Sequence, residues 1–284
     1  DVGESNPNTV LVGMGEHAAR GVMTSMGDGV YLSRDAGKTW KHLGLDQSRH
    51  ISDVIIHPTD ENLFYVAVQG AQYGPSEQRG IYRSSDGGVT WEKVLYVDET
   101  TGASSLSMDP NNPLVLYAAM WEHQRRPWTM NSGGPNSGLY KSADGGTTWN
   151  KMKEGLPPQM GKAGIDASGA RPDLVYAVIE AEGEKAGVYR SDDGGRSWLS
   201  LPSPYEGSFY GSLSLGYGKV LLFGLRGHLF LSNNTGNSWT PLVSNTQATL
   251  NDGVRLRDGR IVLAFGQLHG RELGIVVWDE AQQV

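Results

Sequence analysis

A chain of 284 residues with 38% hydrophobic content is long enough to bury a sizeable core. Its formal charge of −7, from 31 acidic and 24 basic side chains, argues against general binding to nucleic acid or anionic lipid. Cysteine is absent, which removes disulfides, thiolate metal sites and cysteine nucleophiles, and no apolar run has the length that crosses a membrane.

Thirty-nine glycines and 13 prolines fit a chain of short strands and many turns. Residues 1–7 supply a stub of a strand, and residues 10–13 open the first full one. From there the pattern predicts groups of four strands, labelled a to d in chain order. The second group is 51–57, 62–69, 80–84 and 91–96. The third is 103–108, 115–121, 138–142 and 149–152. The fourth is 164–167, 174–180, 187–191 and 198–201, and the fifth is 211–215, 220–225, 228–232 and 239–243. Strands at 253–257, 260–265 and 274–279 close the series. Runs such as LFYVAV, LVYAVI and VLLFGL lack polar alternation, which suits strands covered on both faces.

An octet of the form Ser-x-Asp-x-Gly-x-Thr/Ser-Trp ends the c strand of each of the first five groups. It reads SRDAGKTW from Ser33, SSDGGVTW from Ser84, SADGGTTW from Ser142, SDDGGRSW from Ser191 and SNNTGNSW from Ser232, with first residues 51, 58, 49 and 41 positions apart. A repeat near 50 residues made of short strands predicts propeller blades. Within each octet the carboxylate (Asp35, Asp86, Asp144, Asp193, and Asn234 in the last copy) heads a tight turn and accepts backbone N–H groups. The glycine supplies positive φ, and the tryptophan (Trp40, Trp91, Trp149, Trp198, Trp239) starts the returning strand as an anchor expected to be largely buried.

The octet is the Asp-box, or BNR repeat. The first 200 residues or so resemble bacterial sortilin-like, BNR-repeat glycosyl-hydrolase-like proteins, through lead-ins such as His57-Pro58-Thr59-Asp60-Glu61-Asn62 and Asp109-Pro110-Asn111-Asn112-Pro113. The stretch from Tyr210, with GKVLLFGLRGHLFLSNNTGNSW, resembles photosystem II assembly-factor propellers. The resemblance implies an all-β propeller of four-stranded antiparallel blades, in which the box itself is structural. The expectation is one propeller domain over residues 1–284, of six blades; the alternative is seven, with this chain a part of a larger ring. The start at Asp1, without a methionine or signal sequence, is read as loss of an upstream segment and a secreted or periplasmic location.

Topology says where a site belongs. The boxes lie on c–d turns, while b–c and d–a loops crowd the opposite side, around the mouth of the central channel, where loops on a rigid scaffold carry function. The b–c loops at 15–28, 70–79 and 121–137 are long, and 226–227 is minimal. The expected ligand-binding set on the three long loops is Arg20, Tyr73, Arg79, Glu122, His123, Arg125, Arg126 and Trp128. Arginines recognise carboxylates in bidentate fashion, and flat indoles stack on sugar rings or peptide groups. Each has a plain structural counterpart: Trp121 and Trp128 as a plug fixing a long loop, and Arg125 and Arg126 as a solvated pair or partners of Glu122. His17, His50 and His123 show no H-x-x-H or H-x-H spacing, so neither a metal nor a cofactor is expected.

Three functions are compatible with these residues. The first is a non-catalytic module binding a protein segment or glycan. The second is a glycoside hydrolase, whose carboxylate pair would come from Glu16, Asp53, Glu77, Asp98, Glu99, Glu122 and Glu180. The resemblance to sialidases also implies an Arg-Ile-Pro signature, which is absent. The third is an assembly factor for a larger complex, with Arg226, Arg255, Arg257, Arg260 and Arg271 as a candidate strip.

Overall fold

The computed structural model describes residues 1–16, 24–256, 259–266 and 273–278. Its elements follow the predicted runs, and the described residues form six antiparallel sheets. The first has β1 (Val10–Gly13), β2 (Val30–Ser33) and β3 (Lys41–His42). The second has β4 (Ile51–Ile56), β5 (Phe64–Val68), β6 (Gly80–Ser84) and β7 (Glu92–Leu95). The third has β8 (Thr101–Met108), β9 (Leu116–Arg126), β10 (Thr129–Ser132), β11 (Gly138–Ser142) and β12 (Asn150–Lys151). The fourth has β13 (Ala163–Ala167), β14 (Val175–Ile179), β15 (Gly187–Ser191) and β16 (Leu199–Ser200). The fifth has β17 (Phe209–Gly216), β18 (Lys219–Gly224), β19 (Leu229–Ser232) and β20 (Thr240–Leu242), and the sixth has β21 (Thr249–Arg255), β22 (Ile261–Gly266) and β23 (Leu273–Trp278). The inner strand of the first sheet is reduced to a stub: Asp1 exchanges both backbone hydrogen bonds with Leu11, and Val2 bridges Val10.

The unbroken apolar runs are explained by packing on both faces. In β5, Phe64, Val66 and Val68 join Leu11, Val30 and Leu32 of the preceding sheet, while Tyr65 and Ala67 join Ala103, Leu116 and Ala118 of the following one. The same alternation recurs along the chain, giving a separate core between each consecutive pair of sheets. Each fully buried aliphatic or aromatic side chain contributes roughly 1.5–3 kcal/mol. Among the described residues no such core joins the sixth sheet to the first.

Polar bonds fasten the blades where no strand ladder can. Near the axis, Ser52 Oγ donates to the Ala103 carbonyl, Ser104 Oγ to that of Ala163, and Ser168 shares a hydrogen bond with Ser214, each spanning two sheets at 2.7–2.8 Å. On the outer side the residue before a box serine reaches the next box. Arg83 donates to the Gly145 carbonyl (2.8 Å), Lys141 to Gly194 (2.7 Å) and Arg190 to Thr235 (2.6 Å).

The boxes are built as their sequence requires. In the third copy Ser142 Oγ accepts the Gly146 N–H at 2.8 Å and donates to Asp144 Oδ1 at 2.8 Å. Asp144 accepts the Thr148 N–H (2.8 Å) and hydroxyl (2.7 Å). Asp35, Asp86 and Asp193 repeat this network, while Asn234 accepts the Ser238 N–H but donates its amide N–H to the Ser238 hydroxyl. Each turn also donates one backbone N–H to the a–b turn of its own blade, at Asn8, Asn62, Leu114, Asp173 and Gly218, so boxes and a–b turns share one side.

The burial expected of the box tryptophans needs correction. Trp198 is buried, Trp91, Trp149 and Trp239 are half-buried, and Trp40 is 45% exposed. Trp198 enters the core between its blade and the preceding one, whereas Trp91, Trp149 and Trp239 only pack against the edge of theirs; Trp91 Nε1 donates to the Leu43 carbonyl, next to β3 of the preceding sheet. Trp40 stays open because no earlier sheet packs against it among the described residues.

Candidate functional site

The segment 121–137, read as a loop, is a projecting hairpin. β9 parts from β11 after Met120 and continues to Arg126, where it pairs with β10 around the two-residue turn Pro127-Trp128. From Trp121 to Gln124 burial alternates, with Trp121 and His123 buried and Glu122 and Gln124 half-buried, as in a strand with one covered face. The six residues from 121 to 126 carry it about 20 Å beyond the sheet at strand rise.

This hairpin is fastened on both sides. Toward the second sheet, Arg125 N–H donates to the Gln72 carbonyl at 2.7 Å, and Gln124 donates to the Tyr73 carbonyl at 3.4 Å. Toward the fourth sheet, Ser132 Oγ donates to Glu180 at 2.6 Å and Gly134 bridges Met160. Gln72 in turn accepts from Thr24 Oγ1 (3.1 Å) and donates to the Glu16 carbonyl (3.2 Å). Loops of the first three blades therefore converge, as loop length predicted. At the exposed surface they present Tyr73 (43% exposed), Arg126 and Trp128 (79% exposed), with Arg125 half-buried beside them.

Two expected ligand contacts prove to be interior. Arg79 and His123 are fully covered. Arg79 donates to the carbonyls of Thr100 (2.8 Å), Ala71 (2.7 Å), Gly74 (3.3 Å) and His123 (3.3 Å), and to His123 Nδ1 (2.9 Å). Loop length drew them to the mouth, but the loop folds over its own arginine to satisfy carbonyls that no ladder can serve. Burial pulls the Arg79 guanidinium down to about 10, still charged at neutral pH. Burial and then the neighbouring Arg79 cation push His123 down to about 3, so its ring is neutral. Trp121 is the expected plug: buried, stacked on His123 at 4.1 Å, with Nε1 donating to Ser132. Arg20 and His17 lie outside the described residues, as do Arg257 and Arg271 of the candidate strip.

Among the mouth carboxylates, Asp98 and Glu122 hold one residue between them. Asn136 donates its side-chain amide to Asp98 (2.6 Å) and its N–H to Glu122 (3.1 Å). Partial burial acts to raise Asp98, but the Thr100 hydroxyl and N–H outweigh it and hold the carboxyl below its usual range. Arg126 meets Gln124 rather than Glu122. Among the described residues no group of three or more potential ligands can hold a metal.

Within the channel, Asp166 of β13 accepts from Ser107 of β8 at 2.9 Å. Its carboxyl opens on the channel yet is walled by protein, and this desolvation pushes it up to about 6 against the Ser107 and Ala167 hydrogen bonds. The box carboxylates shift the other way. Hydroxyl and N–H donors at Thr39, Thr90 and Thr148 hold Asp35, Asp86 and Asp144 down to about 2. In Asp193 an upward desolvation contribution is outweighed by Ser197, again giving about 2. A depressed carboxylate contributes stability above its unfolded value and loses it as pH falls through its folded value. Urea midpoints are therefore expected to drop between about pH 4 and pH 2. Asp166 has the opposite sign: its ionisation destabilises the fold as pH rises from about 4 through about 6, by an amount that channel water keeps small. Asp166→Asn should remove only that second slope.

Sheets stacked around an axis, box turns on one side and converging loops on the other define an Asp-box β-propeller. Residues 28–185 match the family model described as Sortilin, neurotensin receptor 3 (Sortilin-Vps10), and the chain belongs to that family. It is 25% identical over 127 residues to a xyloglucanase of Hypocrea jecorina (strain QM6a), covering 43% of this chain and 14% of the enzyme. In structure it is similar to an ancestral GH74 enzyme, with TM-score 0.69 and 17% identity over 90% of this chain and 35% of that one. It is also similar to YCF48 bound to D1 peptide, with TM-score 0.56 and 18% identity over 87% of this chain and 71% of that one. The chain thus spans a minor part of the two hydrolases, and at these identities the structural likeness establishes the fold. Among the described residues no helix is long and apolar enough to cross a membrane.

Proposed function

We propose that this chain is a non-catalytic recognition propeller, a single domain acting outside the cytoplasm, that binds a protein segment or glycan across its mouth. The observation that carries this reading is Trp128. A ring 79% exposed at the tip of a projecting hairpin is open to stack on a ligand. The hairpin is pinned to blades on both sides, so the ring is presented without large ordering entropy. Arg125 and Arg126 on the same hairpin supply bidentate donors, and Tyr73, on the loop to which the hairpin is fastened, supplies a second stacking face. The YCF48 structure with its bound peptide supports the reading by showing that a propeller of this shape accommodates such a ligand.

Calorimetry on ligands drawn from a glycan and peptide array tests it. Trp128→Ala and Arg125→Ala are each expected to weaken binding at least about tenfold, since exposed aromatic and arginine anchors carry most of such an interface. Equal binding by wild type and both variants removes this site.

One observation favours a second reading, a glycoside hydrolase: Asp98 and Glu122 are brought together on Asn136. Turnover of a chromogenic glycoside that disappears in Glu122→Gln would establish it.

A further inference from the structure

The second to sixth sheets each carry an inner strand of five to eight residues along the channel: β4, β8, β13, β17 and β21. In the first sheet the inner edge of β1 is paired only by Asp1 with Leu11 and Val2 with Val10. Among the described residues no strand pairs with that edge beyond Asp1, although β1 runs on to Gly13. Val30, which faces Gly13 from β2, donates its N–H to the Gly44 carbonyl and accepts the Leu43 N–H. Gly13 therefore turns its own N–H and C=O to the inner edge, as Leu11 does two residues earlier. Beside that edge lies a cavity of about 410 Å³, lined by Asp1, by β1 from Leu11 to Gly13 and by residues 51–54 of β4.

The neighbouring blades show what such an edge holds. The box turns donate to Asn8, Asn62 and Leu114, which aligns the three blades. Three residues further on, Leu11, Tyr65 and Tyr117 face Asp1, Ile55 and Ser107. The four residues before Ile55 are Ile51-Ser52-Asp53-Val54, and those before Ser107 are Ala103-Ser104-Ser105-Leu106. Both read apolar, serine, Asp or Ser, apolar, and both bond the next blade in the same way. The serine hydroxyl donates to a carbonyl there, Ser52 to Ala103 and Ser104 to Ala163, each at 2.8 Å. The third side chain accepts an N–H there, Asp53 from Leu106 at 3.2 Å and Ser105 from Ile165 at 3.4 Å. Asp1 follows the same scheme at its own position. Its Oδ2 accepts the Ile56 N–H at 2.8 Å, as Ser107 Oγ accepts that of Ala167 at 3.1 Å.

We propose that the inner edge of the first sheet is a strand-acceptor site for four extended residues joined to Asp1, of the pattern apolar–Ser–Asp or Ser–apolar and antiparallel to β1. The third of them faces Gly13, as Asp53 faces Ala67 and Ser105 faces Ala119, and exchanges both backbone hydrogen bonds with it. Its side-chain oxygen takes the Val54 N–H, and the serine before it donates to the Ile51 carbonyl. These are the counterparts of the Leu106 N–H and the Ala103 carbonyl one blade on. In their place the Val54 N–H turns back on Asp53 Oδ1 at 3.0 Å. The backbone of Asp1 already lies in the ladder, so a segment joined to it enters in register, without the ordering cost of a separate peptide.

The protein with Ile-Ser-Asp-Val placed before Asp1, compared with the protein that starts at Asp1, tests the site. Amide hydrogen exchange at Gly13 is expected to slow at least about tenfold, and the melting temperature to rise by several degrees. Ile-Ser-Pro-Val in the same place should do neither, because proline has no N–H for the Gly13 carbonyl. Unchanged exchange at Gly13 with Ile-Ser-Asp-Val, or equal protection by the proline version, overturns the site. A Gly13 amide that is protected without any extension and released on dilution assigns the edge to a second copy of the chain, which overturns it as well.

Discussion

Replacing Arg79 by alanine is expected to lower stability by at least about 3 kcal/mol, read from equilibrium urea unfolding. Four backbone carbonyls, on Thr100, Ala71, Gly74 and His123, lose their donor together in a water-poor interior. The side chain is also among the largest that are fully buried, so truncation leaves a void that its neighbours fill only in part. Gly70 packs against the Arg79 stem, which ties the blade-two loop to it. Faster hydrogen exchange should therefore appear first in residues 69–79 and 98–101. Lysine should not restore stability, because one ammonium cannot reach four carbonyls arranged around a planar fork.

A loss of similar size is expected for Phe64→Ala, about 3–5 kcal/mol by the same measurement. Phe64 sits in β5 with no exposure and packs into the core shared with the first sheet. The Arg34 guanidinium lies 6.0 Å from its ring centroid, and Arg34 also holds Glu61 and Asn62 on the a–b turn. Truncation would open a cavity at a sheet–sheet interface and loosen that turn together. Phe64→Leu should recover more than half of the loss, because it restores most of the apolar volume.

How far the sequence foretold these features depends on how local their causes are. Asp144 and its counterparts were readable because acceptor, glycine and hydroxyl lie within one octet, and the turn satisfies itself. The two-sided packing of β5 was readable from apolar residues at successive positions. The depth of the tryptophans was not, because it depends on whether a preceding sheet stands behind each ring, as Trp198 and Trp40 show. Arg79 and His123 were misplaced for the same reason. Polar residues on a long loop read as surface, and only the folded loop reveals the carbonyls they serve. The hairpin beyond Met120 was hidden by Pro127, which reads as loop although it occupies a turn. The blade latches do carry a local signal: a basic residue precedes the box serine in Tyr82-Arg83-Ser84, Tyr140-Lys141-Ser142 and Tyr189-Arg190-Ser191, and each one latches the next blade.

Recognition at the mouth is tested most directly by hydrogen exchange on the wild-type protein, with and without the tightest ligand found on the array. The account predicts slowed exchange across residues 121–132 and around Tyr73, with the box turns unchanged. Protection confined to the box turns or the outer strands, with the hairpin exchanging as in the free protein, would contradict it.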